Sequence, residues 1–508
     1  MRRFHLPRNA FAVVTVVALA IPVCIRCAAQ ASHNDEFVQR DGTRLTLGGK
    51  TFRYSGPNIE WLGLEAYGPL DPMGPRYPSH FEVDDAMDTA RMMGARVIRS
   101  QTMGDSVGCD LCIEPKVGQF NPEAFKHLDY ALKAAHDRGL RLIVTLAGDC
   151  ANCVLGGYSE YLKDRGAASY KEFFTDPVVI ARFEKHIAML LNHRNSLTGV
   201  DYKDDPTILA WENCNACGIF VALSGGSNLA PYVSWVDTIG SYIKSIDKKH
   251  LYEDNSGLFT FDKSGAALDS KTPDILTSEY YPHWDAVFNM GEKTTAETFA
   301  RHADLVTSHG KVYVVNEYGW DITDWATHAD LEKVLTTMRS DPKISGDLYW
   351  ALQGHNDEFG WQPIPANVPN KEYSLHGESG QWWALYYGGI DTLVMTKQDM
   401  ADRAELLRRH AFEMAGGSVP SHAIPPAPVI TTEGIGVIAW HGSVGAVKYS
   451  IERKDSESGP WQLICDRCAT DADTPWIDPK PARALFGVHY RVTAYNADDK
   501  PSARSAER

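Results

Sequence analysis

The chain has 508 residues, 44% of them hydrophobic, with 50 basic against 65 acidic side chains and a formal net charge of −15. That length and apolar share suffice for one large core and a second small domain. No stripe of Lys or Arg runs along it, which sets nucleic acid aside as a partner, and the acidic balance bears on solubility rather than on fold.

At the N-terminus, Arg2, Arg3 and Arg8 precede an apolar run over 10–23 and a small-x-small site at Ala29-Gln-Ala31. This reads as a secretory signal over 1–31, with a mature start at Ser32 and a secreted or periplasmic protein. A lipid anchor through Cys24 or Cys27 is the alternative. The apolar run is too short to span a bilayer with normal flanks, and no later stretch is a candidate span. Ten Cys form five Cys-x-x-Cys pairs: 24/27, 109/112, 150/153, 214/217 and 465/468. In an exported chain an even number favours disulfides, with metal and redox-active thiols as the competing readings.

Short apolar runs then alternate with amphipathic stretches. Residues 50–55 read as a strand, 84–93 as a helix and 96–100 as a buried strand. A helix over 124–138 stops at Gly139, and a strand follows over 141–146. The pattern continues with a helix over 177–192, a strand over 207–211, a helix over 230–246 and a strand over 251–253. Further strands fall at 275–278, 312–316 and 346–350, with helices at 295–308, 328–338 and 405–414. Such alternation builds parallel βαβ units. The count fits an α/β fold, a (β/α)8 TIM barrel over 32–418 with insertions. An open doubly wound sheet is the alternative, but the Gly-x-Gly-x-x-Gly element that would favour it after the first strand is absent. Residues 419–426, with Pro425 and Pro426, read as a linker. Residues 427–508 alternate at period two between Gly, Pro and Asp turns, the pattern of a small all-β sandwich with Trp440 and Tyr490 as core aromatics. This stretch resembles a fibronectin type III module, and a spacer role is its simplest reading.

Residues 40–355 resemble glycoside hydrolase family 5, and within it the endo-β-mannanases. The resemblance is carried by Tyr54-Ser-Gly-Pro-Asn-Ile-Glu-Trp61, Met93-Gly-Ala-Arg-Val-Ile-Arg99, Phe173-Phe-Thr-Asp-Pro, Tyr202-Lys-Asp-Asp-Pro-Thr-Ile-Leu-Ala-Trp-Glu212, Glu317-Tyr-Gly and Asp347-Leu-Tyr-Trp350. It implies a catalytic Glu317 at the end of the seventh barrel strand, acting as nucleophile. It implies Arg99 as the cation that keeps this carboxylate ionised, Tyr281 as its hydrogen-bond donor, and Trp350 as the aromatic floor under the reacting sugar. Asn215 matches the Asn that contacts the sugar 2-hydroxyl. Asn58 and Trp61 are expected to line the cleft near the first strand, with core packing as the alternative for Trp61.

Two positions depart from the family pattern. Ala216 stands where the acid/base Glu belongs, and Glu279 stands where the family has His. Retaining hydrolysis needs two carboxyl groups ~5–5.5 Å apart, and a methyl group transfers no proton. Glu279 is the first candidate to restore the pair, as the second catalytic residue. Glu212, four residues before Ala216, and Asp149, after the third strand, are the others. The expected activity is retaining hydrolysis of a β-linked oligosaccharide or polysaccharide, possibly mannan-like, by a monomer needing no metal or organic cofactor. The alternative is a catalytically impaired carbohydrate-binding protein on a glycosidase barrel. A thiol or metal protein built on the Cys pairs is a third class.

Overall fold

A computed structural model describes residues 36–65, 74–148, 157–166, 170–215, 230–255, 266–280, 296–319, 328–357, 360–361, 384–391, 395–434, 436–480 and 487–507. The signal call over 1–31 lies outside these residues, as do Asp149, Ala216 and Tyr281.

Three short strands, β1 (Gln39–Asp41), β2 (Arg44–Leu47) and β3 (Lys50–Thr51), form an antiparallel sheet ahead of the barrel. The single strand expected over 50–55 is therefore split: β3 closes this small sheet, and the first barrel strand β4 (Tyr54–Pro57) starts after a break at Phe52 and Arg53. Leu45 and Phe52 face the apolar floor of the barrel, which explains the break, since one straight strand cannot serve both sheets.

The barrel strands are β4, β5 (Val97–Ser100), β6 (Arg141–Thr145), β7 (Ile208–Glu212), β8 (Leu251–Asp254), β9 (Ile275–Tyr280), β10 (Val312–Tyr318) and β11 (Ile344–Tyr349). They form one eight-stranded sheet in the order β4-β11-β10-β9-β8-β7-β6-β5, every pairing parallel. The two ends of this order meet where Ile59 N donates to Arg99 O at 2.9 Å and Asn58 bridges Arg99, which closes the barrel. Tyr54 fills the floor. A Cβ on Gly346 would come within 2.3 Å of its ring, so only glycine fits there.

The outer layer comprises α1 (His80–Met92), α2 (Pro122–Arg138), α3 (Gly157–Leu162), α4 (Lys171–Thr175), α5 (Pro177–Leu191), α6 (Ala230–Ile246), α7 (Ala296–Ser308), α8 (His328–Ser340) and α9 (Lys397–Met414). Their ends follow from local chemistry. Ser79 and Glu82 form a capping box on α1. Asn121 caps α2 with Pro at its first turn, and Gly139 ends it in the left-handed region at φ 70°. The apolar helix faces and the outward strand residues share one large core cluster, while Val97, Ile143, Leu209, Leu251, Val314 and Leu348 fill a second cluster inside the barrel.

After β12 (Leu352–Gln353) and β13 (Leu385–Tyr386), α9 leads to the C-terminal region. This holds two three-stranded sheets. One contains β14 (Val429–Gly434), β15 (Val437–His441) and β18 (Trp476–Ile477); the other contains β16 (Lys448–Lys454), β17 (Gln462–Ala469) and β19 (His489–Tyr495). Their facing side chains form a separate core in which Trp440 and Tyr490 are buried.

The segment read as a linker makes contacts on both sides. His422 sits 2.8 Å from Glu405 of α9 and 3.1 Å from Asp498, and Asn496 donates to the carbonyls of His422 and Ala423. The sandwich also docks on the barrel through His355. Its Nδ1 lies 2.9 Å from Asp85 of α1, its Nε2 lies 3.2 Å from Asp471 of the sandwich, and Trp361 stacks on its ring. Burial opposes the imidazolium, but Asp85 and Asp471 outweigh it and push His355 up to about 10. The Cys109–Cys112 and Cys465–Cys468 pairs are disulfides, and Cys214 is disulfide-bonded as well. Among the described residues no helix is long and apolar enough to cross a membrane.

Candidate active site

Parallel barrel strands direct their C-terminal ends to one mouth, and the polar interior residues gather there. Arg99, near the end of β5, is fully buried at its centre. It makes a bidentate pair with Glu212 of β7 at 2.8 and 2.9 Å, donates to Glu317 of β10 at 2.5 Å, and lies 3.6 Å from Glu279 of β9. It also donates to Asn58 Oδ1 at 2.9 Å and to Asn215 Oδ1 at 2.5 Å. Burial works against its charge, yet Glu212, then Glu317 and Glu279, push its pKa up, so it stays a cation.

Local backbone irregularity delivers Glu317. Val312 and Val314 point into the barrel at period two. A register shift then falls between Val315 and Glu317 against β9, and again toward Tyr318 against β11. Such a bulge re-aims side chains at a strand end. It lets both Asn316, which donates to Glu212 at 2.6 Å, and Glu317, which meets Arg99, face the same cluster. The register places Glu317 directly opposite Glu279 on β9.

Glu212 is saturated. Besides Arg99 and Asn316 it accepts from Thr145 Oγ1 and from Asn255 Nδ2, the latter at 2.7 Å. A carboxylate so enclosed anchors the guanidinium and has no free oxygen for proton transfer. Glu279 is different. Its Oε1 accepts from the same Asn255 amide, whereas its Oε2 has no hydrogen-bond partner. Burial, followed by the charge of Glu317, raises its pKa well above the usual carboxylate range; Arg99 and Asn255 offset this only in part. Glu253, inside β8, is likewise raised by burial and then by Glu212, and neither of its oxygens is hydrogen-bonded.

Other expected residues fall around this centre. Asn58 is buried and committed: its amide donates to Asn316 O at 3.1 Å and its Oδ1 accepts from Arg99, so it braces the cation rather than facing the cleft. Trp61 is fully buried in the large core cluster, and its Nε1 donates to Gln353 Oε1 at 3.1 Å. Core packing, not cleft lining, fits that position. Asn215 is partly exposed and turns its carbonyl to Arg99. Trp350 follows β11 at the mouth with 9% of its surface exposed, tied by its N–H to Tyr318 O at 2.9 Å. Asn255, Asn316, Gln353 and Glu60 belong to the same mouth and were not singled out from sequence. The first two follow strand-interior runs and carry no motif of their own. The one group among the described residues with cation-holding spacing, Glu457, His489 and Glu507, lies in the sandwich, where Lys454 already pairs with Glu507.

The fold and mouth thus define a (β/α)8 barrel with paired carboxyl groups on adjacent strands at its C-terminal end. Residues 35–339 match the family described as GH family 5 beta-mannosidase-like, and the chain belongs to glycoside hydrolase family 5. It is 31% identical over 294 residues to Mannan endo-1,4-beta-mannosidase 1 of Oryza sativa subsp. japonica, covering 57% of this chain and 64% of that protein. To Mannan endo-1,4-beta-mannosidase 2 of the same plant it is 32% identical over 325 residues, covering 63% and 65%. The chain therefore spans just under two thirds of the length of these curated relatives. Among solved structures, the endo-1,4-beta-mannanase from Rhizomucor miehei aligns with a TM-score of 0.56 at 23% identity, covering 75% of this chain and 99% of that one. The endo-beta-1,4-mannanase from Thermotoga petrophila aligns with the same TM-score at 19% identity, covering 90% and 98%. At these identities the likeness establishes the barrel fold.

Proposed function

We propose that this protein is a retaining β-glycoside hydrolase acting on a β-linked, mannan-like glycan, with Glu317 as nucleophile and Glu279 as acid/base. One observation carries the reading: two carboxyl groups stand opposite each other on β9 and β10 in environments that favour opposite protonation states. Glu317 is ion-paired to Arg99 at 2.5 Å. Burial and then the charge of Glu317 favour the protonated form of Glu279. Environments that separate two neighbouring carboxyl groups in this way assign the nucleophile and the acid.

In the first step Glu279 protonates the glycosidic oxygen as Glu317 bonds to the anomeric carbon, which releases the leaving sugar and forms a glycosyl ester. In the second, Glu279 takes a proton from water, and the water oxygen displaces Glu317 from that carbon. Arg99 keeps the nucleophile charged between turnovers. Glu212, Asn58, Asn316 and Asn255 fix Arg99 and Glu279 in place, as supporting groups do in a preorganised site. The substrate assignment rests on the mannan-degrading relatives, export on the N-terminal signal pattern, and the fibronectin type III character of the sandwich on its strand pattern.

The test is a 2-deoxy-2-fluoro mannoside with an activated leaving group, followed by peptide mapping, beside Glu317→Gln and Glu279→Ala. Label on Glu317, with turnover of Glu279→Ala restored by azide as a glycosyl azide, is the expected outcome. A second reading, a sugar-binding protein without turnover, is favoured by Ala216 at the position of the family acid. It predicts oligosaccharide binding with no label and no product.

A further inference from the structure

Two buried acids are unused by this chemistry: Glu253, inside β8, and Glu60, just past the end of β4. Glu60 lies three residues past β4, with 4% of its surface exposed. Its backbone carbonyl is fixed by Thr102, whose N–H and hydroxyl donate at 2.9 and 2.7 Å. Its carboxyl group is only weakly held: its own backbone N–H and the Gln353 amide stand near, yet neither oxygen closes a well-formed hydrogen bond. Buried carboxyl groups in stable proteins are almost always satisfied, so one left open at a ligand mouth marks a place for a ligand. Gln353 stands near enough to ease the burial, and its amide nitrogen is also unpaired. Gln353 Oε1 is held by Trp61, which leaves that nitrogen and Glu60 side by side.

The barrel order gives this pair a side. Glu279 is on β9 and Glu317 on the adjacent β10. Next come β11 and then β4, the strand that leads into Glu60. Glu60 and Glu279 therefore flank the nucleophile from opposite sides. An acid must face the departing sugar, so the opposite flank faces the sugar that stays on Glu317.

We propose that Glu60, with Gln353, is a specificity-determining site that hydrogen-bonds the hydroxyls of the retained sugar. This rests on the hydrolase reading above. A protonated carboxyl offers a donor and an acceptor together, which complements a sugar hydroxyl that both gives and takes a hydrogen bond. Burial, opposed by Gln353 and reinforced by the charge of Glu317, pushes Glu60 up to about 7. The titratable groups facing it are Glu317 from β10 and Tyr386 from β13; Tyr386 is itself raised by burial and then by Glu60. Ionisation of Glu60 beside Glu317 places two like charges in one dry site, so sugar affinity falls as pH rises through neutrality.

The experiment is steady-state kinetics on β-1,4-mannotetraose for wild type, Glu60→Gln and Glu60→Ala, across a pH range from about 5 to about 9. Glutamine keeps a donor and an acceptor; alanine keeps neither. Glu60→Ala is expected to lose roughly 10- to 100-fold in kcat/KM, the scale of one or two hydrogen bonds to a polar partner. Glu60→Gln is expected to retain activity at acid pH and to abolish the rise in wild-type KM above neutrality. Azide rescue of Glu60→Ala would show an acid/base instead and overturns the proposal. Equal kcat/KM in all three proteins, or a Glu60→Gln profile as pH-dependent as wild type, also overturns it. If wild type neither hydrolyses the tetraose nor takes the fluoro-sugar label on Glu317, it is the hydrolase reading that fails. Label on Glu317 with unaltered kinetics in the Glu60 variants fails this proposal alone.

Discussion

The two halves of the barrel interior are built from the same eight strands and obey opposite rules. The floor is apolar: Val97, Ile143, Leu209, Leu251, Val314 and Leu348 close around Tyr54. A few residues further along each strand, Arg99, Glu212, Glu279, Asn316 and Glu317 share one enclosed volume. The floor is held by apolar contact, with the Tyr54 hydroxyl left without a partner, whereas the mouth crowds carboxyl groups around one guanidinium and leaves several of their oxygens without donors. Stability is concentrated below and chemical potential above. The floor holds the mouth in a geometry that the mouth's own charges would not choose.

Breaking the mouth gives the largest effects. Glu317→Gln is expected to lower kcat by about 10³-fold or more with little change in melting temperature, because Arg99 keeps its bidentate pair with Glu212 and Glu279 loses the charge that opposes its ionisation. Parallel kinetics and calorimetry check both halves of that statement. Arg99→Lys tests the cation. A lysine cannot reproduce the fork held by Glu212, so two buried carboxylates lose part of their partner. A loss of about 3–5 kcal/mol in unfolding free energy is expected, together with loss of activity, and urea denaturation reads it.

A smaller effect sharpens the contrast by moving to the joint between domains. His355 is raised to about 10 from an ordinary 6.5. Its contribution is present in full below about pH 6.5 and is lost as pH rises through the folded value near 10. Wild type is therefore expected to lose stability over that window, and His355→Gln to show a flatter profile, as thermal scans at stepped pH will record. Glu60 gives the mildest signal. With a folded value near 7 above the unfolded 4.5, its contribution is complete below about pH 4.5 and fades as pH rises through 7. Glu60→Gln removes that slope, by at most ~3 kcal/mol.

Much of the floor and the outer layer was legible in the sequence, because period and caps encode them locally. Helix α6 spans the expected 230–246, and Gly139 ends α2 where its left-handed φ is needed. The meeting of Arg99 with Glu317 was legible only through family resemblance, since nothing local links residues 218 positions apart. Glu212 reads as a spare carboxylate in the chain and is enclosed by donors in the fold, a difference made by Thr145, Asn255 and Asn316 from three other strand ends. Trp61 stands in a motif that suggests the cleft, yet its indole is core, held by Gln353. Glu60 was quoted within that same motif and passed over: its environment is created by β10, β12 and β13, none of which is near it in sequence. The pinned connection at His422 was missed for the same reason, as its partners Glu405 and Asp498 come from opposite domains.

The closure of the barrel at Asn58 also sets an order of assembly. The Asn58 N–H donates to Tyr349 O, 291 residues away, and its Oδ1 accepts from Arg99. Contacts between such distant positions form late, because the chain loses entropy in bringing them together before any local gain is collected. The Asn58 contact of Arg99 is thus expected to form late, once β11 has docked against β4. A partly folded chain can therefore hold the carboxyl groups of the mouth before the contact between Asn58 and Arg99 that braces them.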